Sequence, residues 1–366
     1  MSYAKNKSST LFRRSSSTVP LVSVILPVYN AGFWVRECLN SIISQCGVSW
    51  ECIAVNDGST DDSGAVLDEY CAKFPSVKVL HTEHRGVIHA LNTALMAARG
   101  KFITRMDADD VMPVNRLCCM AELLSRTEKH SVVTGTVQYF SSQKLRNGKI
   151  VFENNGVGAG FLRYAKWLNE CVQKRLFFSQ CLVENVIPSP GWMMRREELL
   201  SQGGFDARVY PEDYNLTLKL LAGGFSIHSH DAPVVWWRDH PLRASRMDTH
   251  YRDQNFFDIK AKYIHSIVRK EIGSRKAVLW GAGKKAKIFF QKCKMNNFFF
   301  TDIVTENKKK TGMSFDNILV SPPQILDPLK HFVVCAVSAR GAQRTISQFL
   351  ASKGFREPDD LRWVCR

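Results

Sequence analysis

Between residues 22 and 106 the chain alternates short apolar, β-branched runs with longer segments whose apolar residues recur at helical spacing. Val22–Val28 (VSVILPV) predicts a buried parallel strand, and Phe33, Val35, Leu39, Ile42 and Ile43 then mark one face of a helix. Glu51–Val55 predicts a second strand, ending at Asn56-Asp57-Gly58-Ser59. Asp61, Asp62 or Ser63 then caps a helix that turns Val66, Leu67 and Tyr70 inward. Val77–His81 reads as a third strand, and Val87–Arg99 as a helix stopped by Gly100. Phe102–Met106 is the fourth strand, and it runs directly into Asp107-Ala108-Asp109-Asp110.

This alternation, with each strand ending in a polar loop, predicts a doubly wound α/β fold whose ligands bind beyond the carboxyl ends of the strands. Tyr29-Asn30, Asp57-Gly58 and Asp107–Asp110 all fall at that edge. From Ser131 the pattern loosens. Thr136–Phe161 reads as strand and loop, Leu162–Glu170 as helix, Glu197–Leu200 as a short helix and Tyr214–Leu221 as another. Phe225–Ile227 and Pro233–Trp237 read as two separate strands, and His250–Val268 as a helix bridging to a tail domain. At Lys276 the rhythm restarts with Ala277–Trp280, Gly281-Ala282-Gly283 and a helix through Lys292. The expected organisation is a basic, disordered tail over 1–20, a main α/β domain over 21–271 and a smaller α/β domain over 272–366.

Charge adds a direction to this picture. The 366 residues hold 50 Lys and Arg against 34 Asp and Glu, a formal charge of +16. Residues 21–130 carry 10 basic and 13 acidic groups, whereas residues 271–366 carry 17 and 8. The basic excess thus avoids the motif-rich third and builds toward the C-terminus, which points to an anionic partner, nucleic acid or a membrane surface, for the later segments; the alternative is a solvated basic face. No apolar run reaches the roughly 18 residues of a spanning helix, and the first 20 residues lack a secretory apolar stretch. The 11 cysteines form no C-x-x-C pair, which fits a reducing compartment. The expectation is a cytoplasmic protein.

Candidate chemistry follows from the clusters. Two carboxylates one residue apart, Asp107 and Asp109, suit Mg²⁺ or Mn²⁺, hard cations that keep positions open for water and phosphate; a solvated acidic turn is the bland alternative. Asp57 can accept the imide N–H of a uracil or cap a helix. Glu212-Asp213 opens an apolar helix, where a carboxylate serves as cap or as proton acceptor. Gly281-Ala282-Gly283 is half a dinucleotide fingerprint, with Asp302 only loosely supplying its acidic partner, so NAD binding is weakly supported.

Leu26-Pro27-Val28-Tyr29-Asn30, Asn56–Asp61, Asp107–Asp110 and Glu212-Asp213 together resemble family 2 glycosyltransferases of the GT-A fold over about residues 21–250. The resemblance implies an inverting, metal-dependent transfer from a UDP-sugar to an acceptor hydroxyl. It implies that Tyr29 and Asp57 contact the base, with Pro27 and Asn30 shaping that loop. Asp107 would face ribose and metal, Asp109 and His240 would bind Mn²⁺ or Mg²⁺, and Asp213 would be the catalytic base. Where the family often has Ala-Arg-Asn this chain reads Ala90-Leu91-Asn92, so Arg85 is the candidate to replace that arginine near the diphosphate. The Gln-x-x-Arg-Trp motif of processive synthases is absent.

A narrower resemblance, carried by Arg85-Gly86-Val87, Met112-Pro113 and Trp280–Gly283, is to the eukaryotic β-1,3-N-acetylglucosaminyltransferase-like group linked to galactosylation of queuosine in tRNA. It implies UDP-galactose as donor and tRNA as the anionic acceptor. The competing expectations are a bacterial-type transferase building surface glycan or a lipid-linked saccharide, and a nucleotide- or RNA-binding module without turnover.

Overall fold

A computed structural model describes residues 19–146, 149–243, 246, 253–339 and 341–365. The basic tail expected over 1–20 lies, up to residue 18, outside the described residues, as does the expected start of the bridging helix at His250.

The first two thirds of the chain build a 7-stranded sheet in the order β3-β2-β1-β4-β8-β5-β9. Its parallel core is β1 (Val22–Val28), β2 (Trp50–Asp57), β3 (Val77–Thr82) and β4 (Phe102–Arg105), connected by α1 (Gly32–Ile43), α2 (Ser63–Lys73) and α3 (Val87–Ala97). Six of the seven β1 residues are buried, as a strand covered on both faces requires. After α4 (Arg116–Ser125) come β5 (Ser131–Phe140) and a hairpin of β6 (Ser142–Arg146) and β7 (Lys149–Glu153). Then follow α5 (Ala159–Gln173), α6 (Phe177–Gln180), β8 (Met193–Arg195), α7 (Arg196–Ser201), α8 (Glu212–Ala222) and β9 (Ser226–Arg238).

β8 is only three residues long, yet it inserts antiparallel between β4 and β5. It is secured there by the Thr104 hydroxyl, which donates to the Trp192 carbonyl. β9 is one 13-residue strand where the sequence predicts two. Its pairing with β5 shifts register on either side of Thr136, and a Cβ on Gly135 would stand 2.5 Å from Val234 Cγ1. The two shifts absorb Asp231, Ala232 and Val234 as bulges without ending the strand.

α9 (Asp253–Ile272) leads to a second, 6-stranded sheet. It comprises β10 (Lys276–Trp280), β11 (Asp302–Val304), β12 (Ser314–Phe315), β13 (Ile318–Ser321), β14 (His331–Cys335) and β15 (Leu361–Trp363), in the order β12-β13-β11-β10-β14-β15. The helices α10 (Lys284–Met295) and α11 (Ala342–Ser352) accompany it. Buried polar groups join the two sheets. Lys260 Nζ on α9 donates to the carbonyls of Val183 and Val364, both at 2.9 Å. The fully buried Arg362 donates to the Phe178 carbonyl at 3.2 Å and pairs with Glu271. In this second sheet Asp302 stands at the amino end of β11, away from Gly281–Gly283 at the carboxyl end of the parallel β10. It therefore cannot be the ribose acid of a dinucleotide fingerprint, which sits at the carboxyl end of the second strand.

At the amino edge of the first sheet a buried carboxylate corrects one sequence expectation. Glu51 accepts from the Ser23 hydroxyl at 2.8 Å, the Arg99 amide at 2.7 Å and Lys78 Nζ at 3.0 Å. Burial works against its charge, but these donors outweigh burial and hold its pKa below the usual value. The Arg99 contact draws the chain out of helix, so α3 ends at Ala97 and Gly100 is no helix stop. Gly100 is needed for close approach instead, because a Cβ there would lie 2.5 Å from Ser23 N and 2.8 Å from the Val22 carbonyl carbon. Since both clashing atoms are backbone, Gly100→Ala should lower stability by about 1–3 kcal/mol. A fall in the urea midpoint at unchanged m-value would register it.

Candidate active site

The loops at the carboxyl edge of the first sheet enclose a cavity of about 1090 Å³. Pro27 near the end of β1, Tyr29 and Asn30 just after it, Asp57 at the end of β2, Asp107 and Asp109 after β4, and His240 after β9 all line it. Asn30 takes the left-handed conformation (φ 48°), which an Asn tolerates, and its side-chain oxygen accepts from the Thr60 amide at 2.8 Å. The β1 and β2 loops are thereby tied together. Gly58 (φ 68°) has no room for a Cβ, which would meet His84 N at 2.6 Å.

Asp57 is buried and both its oxygens are engaged. Oδ1 accepts from the Arg85 amide at 2.9 Å, Oδ2 from the Gly86 amide at 2.8 Å, and His84 Nδ1 stands 2.9 Å from Oδ2. Its structural task is to hold the segment that opens α3; Oδ1, with one partner, keeps a second lone pair for a ligand in the cavity. Helix capping, the other sequence reading for this region, falls to Asp61, which accepts from the Ser63 amide at 3.0 Å and the Gly32 amide at 2.8 Å. The His84 ring stacks on Tyr29, with centroids 3.9 Å apart and planes inclined by 18°.

Arg105 is the charged residue of an otherwise apolar β4, buried at the strand's end. Its Nε lies 2.6 Å from Asp107 Oδ1 and its Nη1 2.8 Å from Glu212 Oε1. Burial opposes its charge, but these two carboxylates overcome burial and raise its pKa. Asp107 moves up as well, through burial first and then through Asp109 and Glu212, against the pull of Arg105. Asp109 moves down: burial would raise it, but a hydrogen bond from His240 and the charge of Arg243 prevail. Asp110 serves the frame, with Oδ1 accepting the Arg238 amide at 2.8 Å.

His240 Nε2 lies 2.8 Å from Asp109 Oδ2, and its ring packs on Trp34 at 4.1 Å between centroids. Its Nδ1 is buried and has no protein partner. Asp109 and His240 thus offer one carboxylate oxygen and one imidazole nitrogen on the cavity wall, while Asp107 is engaged by Arg105. Among the described residues no cluster of three or more such ligands exists. The set is too small for an all-protein cage but fits Mn²⁺ or Mg²⁺, whose remaining positions go to substrate phosphates and water.

Glu212 and Asp213 open α8 and diverge. Glu212 reaches the main cavity and is held by Arg105. Asp213 lines a small neighbouring cavity that shares Ser189 with the main one. There its Oδ2 accepts from Asn185 Nδ2 at 3.2 Å and its Oδ1 from the Tyr214 amide at 2.7 Å. Burial, reinforced by the Glu212 charge, raises its pKa to about 7. Arg85 is not brought to the site. Its side chain is exposed, lies 3.3 Å from His89 Nε2 on the first turn of α3, and is absent from the cavity wall. The sequence reading also missed Arg105, Trp34 and the wall of Tyr139, Phe161 and Tyr164. Arg105 carried a signal, a charge inside a buried strand just before Asp107. The aromatic wall carried none, since Tyr139 on β5 meets Phe161 and Tyr164 of α5 only in the folded chain.

Residues 23–200 match the family model described as Glycosyl transferase family 2. Among curated relatives, the chain is 33% identical over 123 residues to the glycosyltransferase GlyG of Streptococcus pneumoniae serotype 4, which covers 33% of this chain and 41% of that protein. It is 39% identical over 92 residues to the uncharacterized glycosyltransferase EpsJ of Bacillus subtilis, covering 25% of this chain and 27% of that one. The chain therefore spans less than half the length of either relative. Among solved structures, S. aureus TarS 1-349 in complex with UDP-GlcNAc matches with 20% identity and a TM-score of 0.48, over 75% of this chain and 71% of that one. With the cavity at the carboxyl edge of a largely parallel sheet, the architecture is that of a GT-A-type doubly wound α/β domain, whose residues 23–200 are similar to the glycosyl transferase family 2 model.

Proposed function

We propose that this protein is an inverting glycosyltransferase that moves a sugar from a UDP-sugar to an acceptor hydroxyl. The observation that carries this reading is the placement of the Asp109–His240 pair in one cavity with Tyr29 and Asp57. Tyr29 offers a ring face to the base, and the free lone pair on Asp57 Oδ1 accepts its imide N–H. Asp107 faces the ribose. A divalent cation, when held by Asp109 and His240, supplies charge neutralisation to the departing diphosphate.

The acceptor oxygen bonds to the anomeric carbon as the carbon–oxygen bond to the diphosphate breaks, and that bond's electron pair leaves with the diphosphate. The acceptor's proton goes to Asp213, whose environment brings its pKa close to neutrality, where a general base is most effective. Glu212 is the less suitable base because its carboxylate is neutralised by Arg105.

The basic excess of residues 271–366 supports an anionic acceptor. Our reading is tRNA carrying queuosine, with UDP-galactose as donor; a lipid-linked saccharide of the bacterial type is the competing acceptor. A panel of UDP-sugars incubated with total tRNA and with lipid extract, followed by mass spectrometry, separates the two. A hexose added to the tRNA nucleoside supports the first, and a product confined to the lipid arm overturns it.

Asp213→Asn should fold and bind UDP as the wild type does while losing about 10²–10⁴-fold in turnover. A raised pKa leaves Asp213 protonated, and unable to accept a proton, below about pH 7. Wild-type kcat/KM should therefore rise with pH through that value and then level off, and the residual activity of Asp213→Asn should lack this limb. Wild-type-like turnover by the variant would remove Asp213 from the mechanism. Chelation with EDTA should abolish transfer, and Mn²⁺ should restore it to the wild type but not to Asp109→Asn or His240→Ala. Full activity of the EDTA-treated protein would contradict the roles of both residues.

A further inference from the structure

Three of the arginines around the acidic edge of the first sheet are committed to carboxylates. Arg105 joins Asp107 to Glu212, Arg238 pairs with Glu37, and Arg246 grips Asp239 through both of its oxygens. Arg243 is different. Its guanidinium makes one hydrogen bond among the described residues, from Nη1 to the Arg238 carbonyl at 2.8 Å, and no described carboxylate stands within ion-pair distance. It lies instead among three aromatic rings, 5.1 Å from the centroid of Trp237, 5.3 Å from Tyr139 and 5.7 Å from Phe161.

Such a cage fixes the plane of the guanidinium while leaving most of its five N–H donors unused. Arg243 also lines the cavity, on the same wall as Asp109 and His240. Burial opposes its charge, but Tyr139, Asp110, Asp109 and Asp107 together raise its pKa, so it remains a cation at every pH at which the protein is folded. A half-buried cation with spare donors and no carboxylate in direct ion-pair contact suits an anion, and a planar fork matches phosphate oxygens better than a point charge does.

We propose that Arg243 binds the diphosphate of the nucleotide-sugar, beside the Asp109–His240 pair. The assignment rests on the UDP-sugar reading given above. Arg85 cannot fill this role because it stands outside the cavity, and Leu91 on α3 is fully buried. The same guanidinium binds the diphosphate of substrate and of product, so its contribution is to affinity for the nucleotide whether or not an acceptor is present.

Isothermal titration of uridine and UDP, each in Mn²⁺ and in EDTA, into the wild type, Arg243→Gln and Arg243→Lys tests the proposal without any need for turnover. Losing a charge-assisted, forked contact should weaken UDP by about 10- to 100-fold in Arg243→Gln, with uridine affinity unchanged. Arg243→Lys should fall between, since it keeps the charge but not the fork. Equal UDP affinity in the wild type and Arg243→Gln overturns the assignment and leaves the donor reading standing. Equal loss of uridine and UDP in Arg243→Gln also overturns it, because the residue would then shape the cavity as a whole. A wild type that binds neither ligand overturns both readings. Where Arg243→Gln fails to fold, Arg243→Lys decides: undiminished UDP affinity there overturns the forked contact.

Discussion

The candidate site depends on one buried guanidinium. Five carboxylates, Asp107, Asp109, Asp110, Glu212 and Asp213, crowd one side of the cavity with little or partial exposure, and like charges at that density repel one another. Arg105 is placed between the end of β4 and the start of α8, and it pairs with one carboxylate from each. It therefore does two things at once. It neutralises the middle of the cluster, and it joins the acids after β4 to the Glu212-Asp213 pair more than 100 residues later in the chain. Leaving such a charge network without its central partner typically costs about 3–5 kcal/mol. The pKa shifts within the cluster diverge because the His240 hydrogen bond and the Arg243 charge overcome burial at Asp109, whereas burial and the Glu212 charge prevail at Asp213.

The elements between β1 and β4 could be read from sequence because each is a locally consistent signal, an apolar run bounded by polar turns. What could not be read was decided by distant partners. β8 has too few residues for periodicity, and only the gap between β4 and β5 makes it a strand. The two apolar stretches of β9 merge because Gly135 lets the opposing chain approach across the bulge. The site divides along the same line. Tyr29, Asn30, Asp57, Asp107, Asp109 and His240 lie in motifs next to strand ends, so chain order alone carried them to one cavity. Arg85 sat in an equally suggestive loop, but the grip of Asp57 on its backbone amide turns its side chain outward.

The second sheet is fastened to the first through groups that are costly to leave unpaired. Lys260 satisfies carbonyls from both sides, and Arg362, with no exposure at all, reaches across to Phe178 and Glu271. Such contacts need a fixed mutual placement, since a buried cation tolerates little displacement of its acceptors. The basic tail region therefore faces any anionic partner from a set orientation relative to the cavity.

Asp57 carries a consequence of another kind. A carboxylate on a cavity wall could have waited, solvated, for its ligand. Here backbone amides already hold both oxygens, so the loop that opens α3 and this part of the wall are immobilised together when the chain folds. The ordering entropy of that wall is then lost during folding and not at each encounter with a ligand, so affinity at this end reflects contact alone. The same arrangement makes the strand end and the helix start one rigid gauge, against which a ligand of different width has nothing to adjust.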